Sequence, residues 1–404
     1  MIQGGISINI TVSKKSQSIS PSITLAISAK AKQMKEEGID VISFGVGEPD
    51  FDTPINIKNA AIEAINKGHT KYTPASGLPQ LKQAICTKLK SDNNLDYKPE
   101  NIVVSNGAKH SLYNIFQAIC DPGDEVIIPA PYWVSYPEMV KMADANPVIV
   151  NCTEENEFKI KKEDLLGAIT PKTKAIILNS PSNPTGSIYT RAELEDIAQV
   201  AVDHNIFVVT DEVYEKLIYD GEEHISIASF NDEIKDLTIT VNAMSKCYAM
   251  TGWRIGYTAS HIAIAKAMNS MQSHATSNPN TIAQHASIEG LTGDQSSVEE
   301  MRLAFDERRK YMVQRVNEIK GLSCIVPKGA FYIMMNIKQL IGTTIKGITI
   351  NGSMDFSELL LEHANVAVVP GIAFGVDEFV RLSYANSLEN IKEALNRVDA
   401  VLNG

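Results

Sequence analysis

Lys246 is the residue whose chemistry is most distinctive, because it lies in an almost uncharged stretch from Ser245 to Gly256 that contains only one other charge, Arg254. A lysine removed from bulk water has a lowered pKa, since desolvation penalises its charged form. Its free amine can then attack a carbonyl and form a Schiff base. The Ser245 hydroxyl and the Arg254 guanidinium suit a phosphate, as a neutral donor and a charged fork. The stretch therefore predicts a site for an aldehyde that also carries a phosphate.

Pyridoxal phosphate is such an aldehyde. The alternative for this stretch alone is that Lys246 is an ordinary solvated lysine and Arg254 a structural cation. Short motifs often occur without function, so both readings stay open until the rest of the chain is considered.

Length and composition describe a globular protein with one large domain and a smaller companion. The chain has 404 residues, 44% of them hydrophobic and 21% charged. Its 37 basic and 48 acidic residues give a net charge of −11, which argues against nucleic acid as the main partner. An anionic substrate is still possible, because it requires only a few local cations.

The five cysteines are odd in number and show no C-x-x-C spacing, which argues against a disulfide framework and against a zinc site. We expect free thiols in a reducing compartment and no bound metal. The stretch from Met1 to Val12 has no basic segment, and no apolar run reaches membrane-spanning length. The expected location is therefore cytoplasmic. Residues 1–19 are predicted to be an N-terminal extension with the composition of a disordered segment.

Apolar strands alternate with amphipathic helices over most of the chain, which predicts an α/β fold with a mostly parallel sheet covered by helices. The character changes after about residue 290, where a long charged helix leads to short strands and predicts a smaller α+β domain. We expect residues 53–290 to form the large domain. Residues 20–52 and 291–404 are expected to form the small one.

Polar clusters follow several predicted strands, and ligands of such sheets bind at the carboxyl ends of the strands. Asp211 could pair with a pyridine nitrogen, Asn183 and Tyr214 could donate to the ring's phenolate oxygen, and Trp133 could stack on the ring. Taken singly, each residue has a structural explanation that is more common than a functional one: Asp211 as a helix N-cap, Asn183 as a turn residue before Pro184, and Trp133 as a core residue. Their occurrence together favours the cofactor.

The phosphate would lie where a strand, a small-residue turn and a helix start follow one another. Gly107 and Ala108 open that helix, and together with Ser245 and Arg254 they would hold the phosphate. Lys246 would then act as the base that moves a proton between the substrate α-carbon and the cofactor's C4′.

Seven stretches resemble motifs of the fold-type I pyridoxal-phosphate enzymes, specifically class I/II aminotransferases and, within them, bacterial aspartate aminotransferases. The resemblance runs from about Ser20 to the C-terminus. The matching stretches are Gly45-Val46-Gly47-Glu48-Pro49-Asp50-Phe51, Lys71-Tyr72-Thr73-Pro74-Ala75-Ser76-Gly77, Pro131-Tyr132-Trp133-Val134-Ser135-Tyr136, Asn179-Ser180-Pro181-Ser182-Asn183-Pro184-Thr185-Gly186, Asp211-Glu212-Val213-Tyr214, Ser245-Lys246 with Thr251-Gly252-Trp253-Arg254, and Val380-Arg381-Leu382-Ser383.

The resemblance implies a homodimer with shared active sites, in which Tyr72 reaches the cofactor phosphate of the partner subunit. It also implies that Arg381 binds the substrate α-carboxylate as a bidentate fork, helped by Asn183, Trp133 and the Gly47 backbone. The small domain is expected to close over the substrate.

Lys109 is the best candidate for a second cation that would recognise a side-chain carboxylate, and it lies at a helix start beside the phosphate site. The resembling bacterial enzymes carry a lysine there, which favours aspartate and 2-oxoglutarate as substrates in a ping-pong reaction through Lys246. The alternative is that Lys109 only supports the phosphate or points to solvent. We favour the dicarboxylate because a buried lysine that faces an apolar substrate is energetically costly.

Three other functions compete with this prediction. One is an aminotransferase for aromatic or neutral amino acids, and a second is a carbon–sulfur β-lyase, because both use the same cofactor and lysine. The third is a non-catalytic regulator, which would need a DNA-binding domain ahead of the fold. The roughly twenty residues that precede the resemblance are too few for one.

Overall fold

The computed structural model describes residues 10–404. Its helices are bounded as follows: α1 Lys14–Gln17, α2 Ile23–Glu36, α3 Ile55–Asn66, α4 Pro79–Asn93, α5 Ala108–Ile119, α6 Ser135–Met142, α7 Lys162–Ala168, α8 Arg191–His204, α9 Asp232–Leu237, α10 Ile262–Ala275, α11 Thr281–Thr292, α12 Ser296–Glu318, α13 Ser353–Ala364 and α14 Leu388–Asn403. The strands are β1 Ile42–Ser43, β2 Ile102–Ser105, β3 Glu125–Ala130, β4 Asn146–Asn151, β5 Thr173–Asn179, β6 Phe207–Asp211, β7 Thr238–Ala243, β8 Gly256–Ala259, β9 Tyr332–Asn336, β10 Thr344–Ile345, β11 Ile348–Thr349, β12 Val366–Ala367, β13 Val369–Pro370 and β14 Phe379–Ser383.

A seven-stranded sheet forms the centre of the molecule, with the strand order β2-β8-β7-β6-β5-β3-β4. Only β8 runs against its neighbours, and it pairs antiparallel with both β2 and β7. The remaining strands are parallel, so the carboxyl ends of β3, β5, β6 and β7 lie at one edge. The predicted α/β class with a mostly parallel sheet is confirmed.

Both faces of the inner strands of this sheet are buried, and the centres of β3 and β5 are runs of apolar residues. Ala175 and Ile177 of β5 pack into a core with α5, α6 and α10, whereas Ile176 and Leu178 pack on the other face against α7, α8 and α9. The helices carry their own start signals. Thr190 and Glu193 form a reciprocal capping box at the start of α8, in which the Thr190 backbone N–H donates to Glu193 Oε2 over 2.8 Å.

A smaller antiparallel sheet, in the order β13-β14-β9, packs with α12, α13 and α14 around a second large core. The N-terminal part of the chain joins this region, because β1 pairs with β12 and places Ile42 opposite Val366. The Ser383 backbone N–H also donates to the Phe44 carbonyl over 3.0 Å. Residues that come before the large sheet in the sequence and residues that come after it thus contribute to one smaller unit.

Several elements differ from the sequence prediction. β8 was not predicted, and neither were α10 and α11; β8 has only four residues, too few for a clear period. The sequence predicts short strands after residue 290, and the structure has among them β9 from Tyr332 and the two-residue strands β12 and β13. Of the predicted N-terminal extension, the structure describes residues from Ile10 onward, where α1 forms and Lys15 pairs with Asp144 at 2.7 Å. The prediction of disorder for residues 1–9 lies outside the described residues.

Within residues 10–404, no helix combines the length and the apolar composition that crossing a membrane requires.

Candidate active site

A cavity of about 510 Å³ lies where the carboxyl edge of the large sheet meets the smaller sheet. It brings together most of the residues that the sequence predicted for the site. Those that line it are Gly47, Ala108, Lys109, Trp133, Asn183, Asp211, Tyr214, Ser245, Lys246, Arg254 and Arg381. Gly107 lies directly beside it, and Tyr72 lies elsewhere on the surface.

Lys246 follows β7, and its Nζ donates a hydrogen bond to the carbonyl oxygen of Gly47. The same nitrogen lies 5.8 Å from the ring of Tyr214 and 5.7 Å from that of Phe331. Desolvation in this cavity lowers the pKa of Lys246 to about 8, although the charge of Glu48 partly opposes the shift. A useful fraction of the amine is therefore unprotonated near neutral pH, as attack on an aldehyde requires.

Asp211 is the last residue of β6, and its side chain is buried. The Tyr136 hydroxyl donates to Asp211 Oδ2 over 2.7 Å, and the Val213 backbone N–H approaches Oδ1 at 3.4 Å. Burial raises the pKa of Asp211 to about 6, although both hydrogen bonds work in the opposite direction. A buried carboxylate in this state would be stabilised by a cationic partner, and a protonated pyridine nitrogen is one.

Tyr214 and Asn183 both line the cavity, and the side chain of each forms a hydrogen bond with another residue. The Tyr214 hydroxyl shares a hydrogen bond of 3.0 Å with the Tyr332 hydroxyl. The Asn183 backbone N–H donates to Asn179 Oδ1 over 2.7 Å, and its side-chain oxygen accepts from Arg381. These are the positions from which a ring oxygen could receive hydrogen bonds.

The phosphate candidates meet at the start of α5. Gly107 has a φ of +83°, and a Cβ there would lie 2.2 Å from Arg254 Nη2, so only glycine allows the guanidinium to approach this closely. Arg254 donates to the carbonyl oxygens of Thr251 (2.8 Å) and Asn106 (3.3 Å). The first backbone N–H groups of a helix have no intrahelical acceptor, so those of Ala108 and Lys109 are available to an anion.

Arg381 lies in the middle of β14 and is only 3% exposed. Its Nη1 donates to Asn183 Oδ1 over 3.1 Å and its Nη2 to the Gly45 carbonyl over 2.9 Å, while Nε has no partner within residues 10–404. Burial lowers the pKa of Arg381, and no acidic side chain among the described residues offsets its charge. A buried guanidinium with an unused donor is a receptor for an external carboxylate.

The sequence analysis treated Lys109 as a buried lysine, but in the single chain it is exposed at the mouth of the cavity. Lys109 is the second residue of α5, and its side chain lies at the open end of the cavity. Its Nζ lies 4.8 Å from the centre of the Trp133 ring, a cation–π contact. Partial desolvation and the nearby Arg254 lower its pKa. Trp133 in turn packs edge-on against Tyr136, with 5.3 Å between the ring centres.

Tyr72 is the one predicted site residue that the single chain leaves away from the cavity. It is 91% exposed. The role expected for it in a partner subunit stays a prediction.

The sequence analysis assigned no role to Tyr136 or Tyr332, although both line the cavity. Tyr136 holds Asp211, and Tyr332 contacts both Tyr214 and Arg381. The available signal for Tyr136 was its position three residues after Trp133, at a helix start. Tyr332 gave no such signal, since it approaches the site only through strand pairing.

These residues fit pyridoxal phosphate. Within residues 10–404, Arg381 Nε is a buried donor without a partner, and Asp211 is a buried carboxylate whose pKa is raised by desolvation. Gly107 lets the Arg254 guanidinium lie close to the free backbone N–H groups at the start of α5. When bound, the cofactor supplies an electron sink that stabilises negative charge on the substrate α-carbon. The protein supplies the amine of Lys246, the donors around the ring and the cations for carboxylates.

Comparison with known proteins agrees with this chemistry. The family described as aminotransferase class I and II matches residues 39–398. An aspartate aminotransferase from Bacillus sp. (strain YM-2) is 54% identical over 384 residues, which cover 95% of this chain and 97% of that protein. The structure of the aspartate aminotransferase from Rhizobium meliloti gives a TM-score of 0.94 at 44% identity, with 97% and 99% of the two chains covered.

The aspartate aminotransferase from Thermus thermophilus, determined with maleate, gives a TM-score of 0.92 at 43% identity and covers 97% of this chain and all of its own. The geometry of the site and the matches over nearly the whole chain support the same family. The chain belongs to the class I and II aminotransferases, and it is an enzyme that transfers amino groups with pyridoxal phosphate as its cofactor.

Proposed function

We propose that this enzyme transfers the amino group of L-aspartate to 2-oxoglutarate and forms oxaloacetate and L-glutamate by a ping-pong mechanism. The observation that carries the proposal is a pair of cations that line the cavity, Arg381 on its inner wall and Lys109 at its mouth, that no acidic side chain of residues 10–404 neutralises. Aspartate and glutamate each present two carboxylates. The names of the Bacillus and Rhizobium relatives, and the dicarboxylate in the Thermus structure, support the same substrate class.

Arg381 binds the α-carboxylate that every amino acid carries. Asn183 and the Gly45 carbonyl hold its terminal nitrogens, and the rings of Tyr332 and Phe374 lie 4.5 and 5.0 Å from its carbon. This side chain loses little freedom when a substrate arrives, because it is already ordered. Trp133 and the Gly47 backbone complete this end of the site.

Lys109 binds the side-chain carboxylate of the dicarboxylic substrates. Its exposed position at the mouth, above Trp133, lets it meet side chains of two lengths, those of aspartate and glutamate. Lys246 acts between these two cations. Its amine takes a proton from the substrate α-carbon, and the lowered pKa makes it a suitable base near neutral pH.

Asp211, Tyr214, Asn183 and Trp133 hold the ring of the cofactor in this proposal. Gly107, Ala108, Lys109, Ser245 and Arg254 surround its phosphate.

The enzyme is also proposed to be a cytoplasmic homodimer in which Tyr72 of each protomer completes the phosphate site of the other. Three isoleucines of α3, Ile55, Ile62 and Ile65, are 67%, 55% and 53% exposed, and Tyr72 follows on the next loop. A second copy of the chain would cover these apolar side chains. Residues 20–52 and 291–404 form the small domain in this proposal, and residues 53–290 form the large one.

The test is to add L-aspartate, without any keto acid, to the purified enzyme loaded with pyridoxal phosphate. The visible absorption of the bound cofactor should fall, and about one oxaloacetate should appear per site. An unchanged spectrum with aspartate, together with a change on adding phenylalanine or alanine, would instead indicate an aromatic or neutral amino-acid substrate. Steady release of pyruvate from cystathionine, without an acceptor, would indicate the carbon–sulfur lyase.

A further inference from the structure

Tyr332 lies between two residues that the proposed function places in contact with different ligands. It is fully buried at the start of β9. Its hydroxyl is 3.0 Å from the Tyr214 hydroxyl, and its ring centre is 4.5 Å from the Arg381 guanidinium carbon. The strand register explains this position: Arg381 pairs with Met334 and Ser383 with Tyr332, so Tyr332 and Arg381 are diagonal neighbours on one face.

The Tyr332 hydroxyl can orient Tyr214. Burial raises the pKa of both tyrosines, so each hydroxyl keeps its single proton. Within residues 10–404, the Tyr332 hydroxyl forms its hydrogen bond with Tyr214. If Tyr214 donates its proton into the cavity, its oxygen is free to accept from Tyr332. In such a chain each bond polarises the next, which makes Tyr214 a stronger donor.

The Tyr332 ring can orient Arg381. The guanidinium carbon lies over the Tyr332 ring at 4.5 Å and over the Phe374 ring at 5.0 Å, and planar groups of this kind stack on aromatic faces. The ring therefore fixes the plane in which the guanidinium can meet a carboxylate.

We propose that Tyr332 is a positioning residue with two separable parts: its hydroxyl orients Tyr214 toward the cofactor's ring oxygen, and its ring holds Arg381 flat for the substrate carboxylate. This rests on the proposed function, which assigns those roles to Tyr214 and Arg381. The two parts can be removed one at a time, because phenylalanine keeps the ring and leucine removes it.

The first test is Tyr332→Phe, measured as the pH midpoint of the visible absorption of the bound cofactor. A weaker donor leaves more negative charge on the ring oxygen, which favours the protonated form of the bound cofactor. The midpoint should rise by roughly 0.5 pH unit, the effect of one modest hydrogen bond. The dissociation constant for maleate, measured by calorimetry on the same holoenzyme, should stay within about twofold of wild type, because the ring remains.

Tyr384→Phe is the matched control. Tyr384 is equally buried in the same core, but its hydroxyl donates to the Ala330 carbonyl over 3.1 Å instead of to Tyr214. Its removal should leave the pH midpoint unchanged. Tyr332→Leu should both raise the midpoint and weaken maleate binding about fivefold, because the support of the guanidinium is lost.

An unchanged midpoint in Tyr332→Phe, or an equal shift in Tyr384→Phe, would overturn the role of the hydroxyl. Wild-type maleate affinity in Tyr332→Leu would overturn the role of the ring. A wild-type enzyme that shows the cofactor's pH titration but does not transaminate aspartate would count against the proposed substrate alone, because the titration does not involve it.

Discussion

The inner wall of the active-site cavity and its mouth are built differently. On the inner wall, Arg381 and Asp211 are almost fully buried and each is held by two hydrogen bonds. At the mouth, Lys109 is exposed, and a contact with the Trp133 ring is what positions its amine. The wall suits groups that never vary, namely the cofactor ring and the α-carboxylate. The mouth suits the part of the substrate that differs between amino acids, so specificity is expected to depend on it.

Removing the amine at the centre of the wall should have the largest effect. Lys246→Ala is expected to lower transamination of every amino acid at least roughly 10³-fold, because the other lysine that lines the cavity, Lys109, lies at its mouth and is assigned to the side-chain carboxylate. The variant should also lose the visible absorption of wild type. Steady-state rates and spectra of the two purified proteins give the comparison, and a variant with full turnover would rule out Lys246 as the base.

Arg381→Lys tests whether the inner wall contributes equally to the turnover of different amino acids. Lysine keeps the charge but loses the planar fork, so kcat/KM should fall roughly 100-fold. The loss should be similar for aspartate and for alanine, since both present the same α-carboxylate. If aspartate were affected much more than alanine, Arg381 would belong to side-chain recognition instead.

Lys109→Ala tests the mouth. We expect kcat/KM for aspartate to fall roughly tenfold, the value of one partly exposed charge-assisted contact. Turnover of alanine should change less than about twofold. The measurement is the ratio of the two kcat/KM values in variant and wild type. Equal losses would mean that Lys109 supports the phosphate and not the substrate carboxylate.

The smallest expected effect is the pH dependence of cofactor incorporation, which should depend on Lys246 and not on Lys109. Incorporation of pyridoxal phosphate into the cofactor-free protein needs the unprotonated amine of Lys246, whose pKa is lowered to about 8. The amine becomes more available as the pH rises through that value, so the rate should increase roughly fivefold between pH 7 and pH 8. Lys109→Ala should keep this midpoint. A rate that is flat over this range would place the pKa of Lys246 elsewhere.

Whether a site residue could be predicted from the sequence depended on where it lies relative to its strand. Asp211 ends a parallel strand, and Asn183 and Lys246 follow the carboxyl ends of two others, so the rule for such sheets predicts that they meet. Arg381 came only from the resemblance to known enzymes. Tyr332 was missed because it reaches the site through the pairing of β9 with β14, which joins residues about fifty positions apart. The strand β8 was missed because its four residues give no clear period.

Pairing of β1 with β12 has a consequence for biosynthesis. Ile42 meets Val366 in this short ladder, and Gly45 accepts a hydrogen bond from Arg381, so the carboxylate receptor joins the first and last parts of the chain. Contacts between such distant residues close late, because loop entropy must first be overcome. On the ribosome, residues 53–290, the proposed large domain, could collapse around the large sheet while the N-terminal strand β1 still lacks its partner β12. The nascent enzyme would therefore hold a formed sheet edge before it could bind an amino acid, and would expose apolar surface there until synthesis was nearly complete.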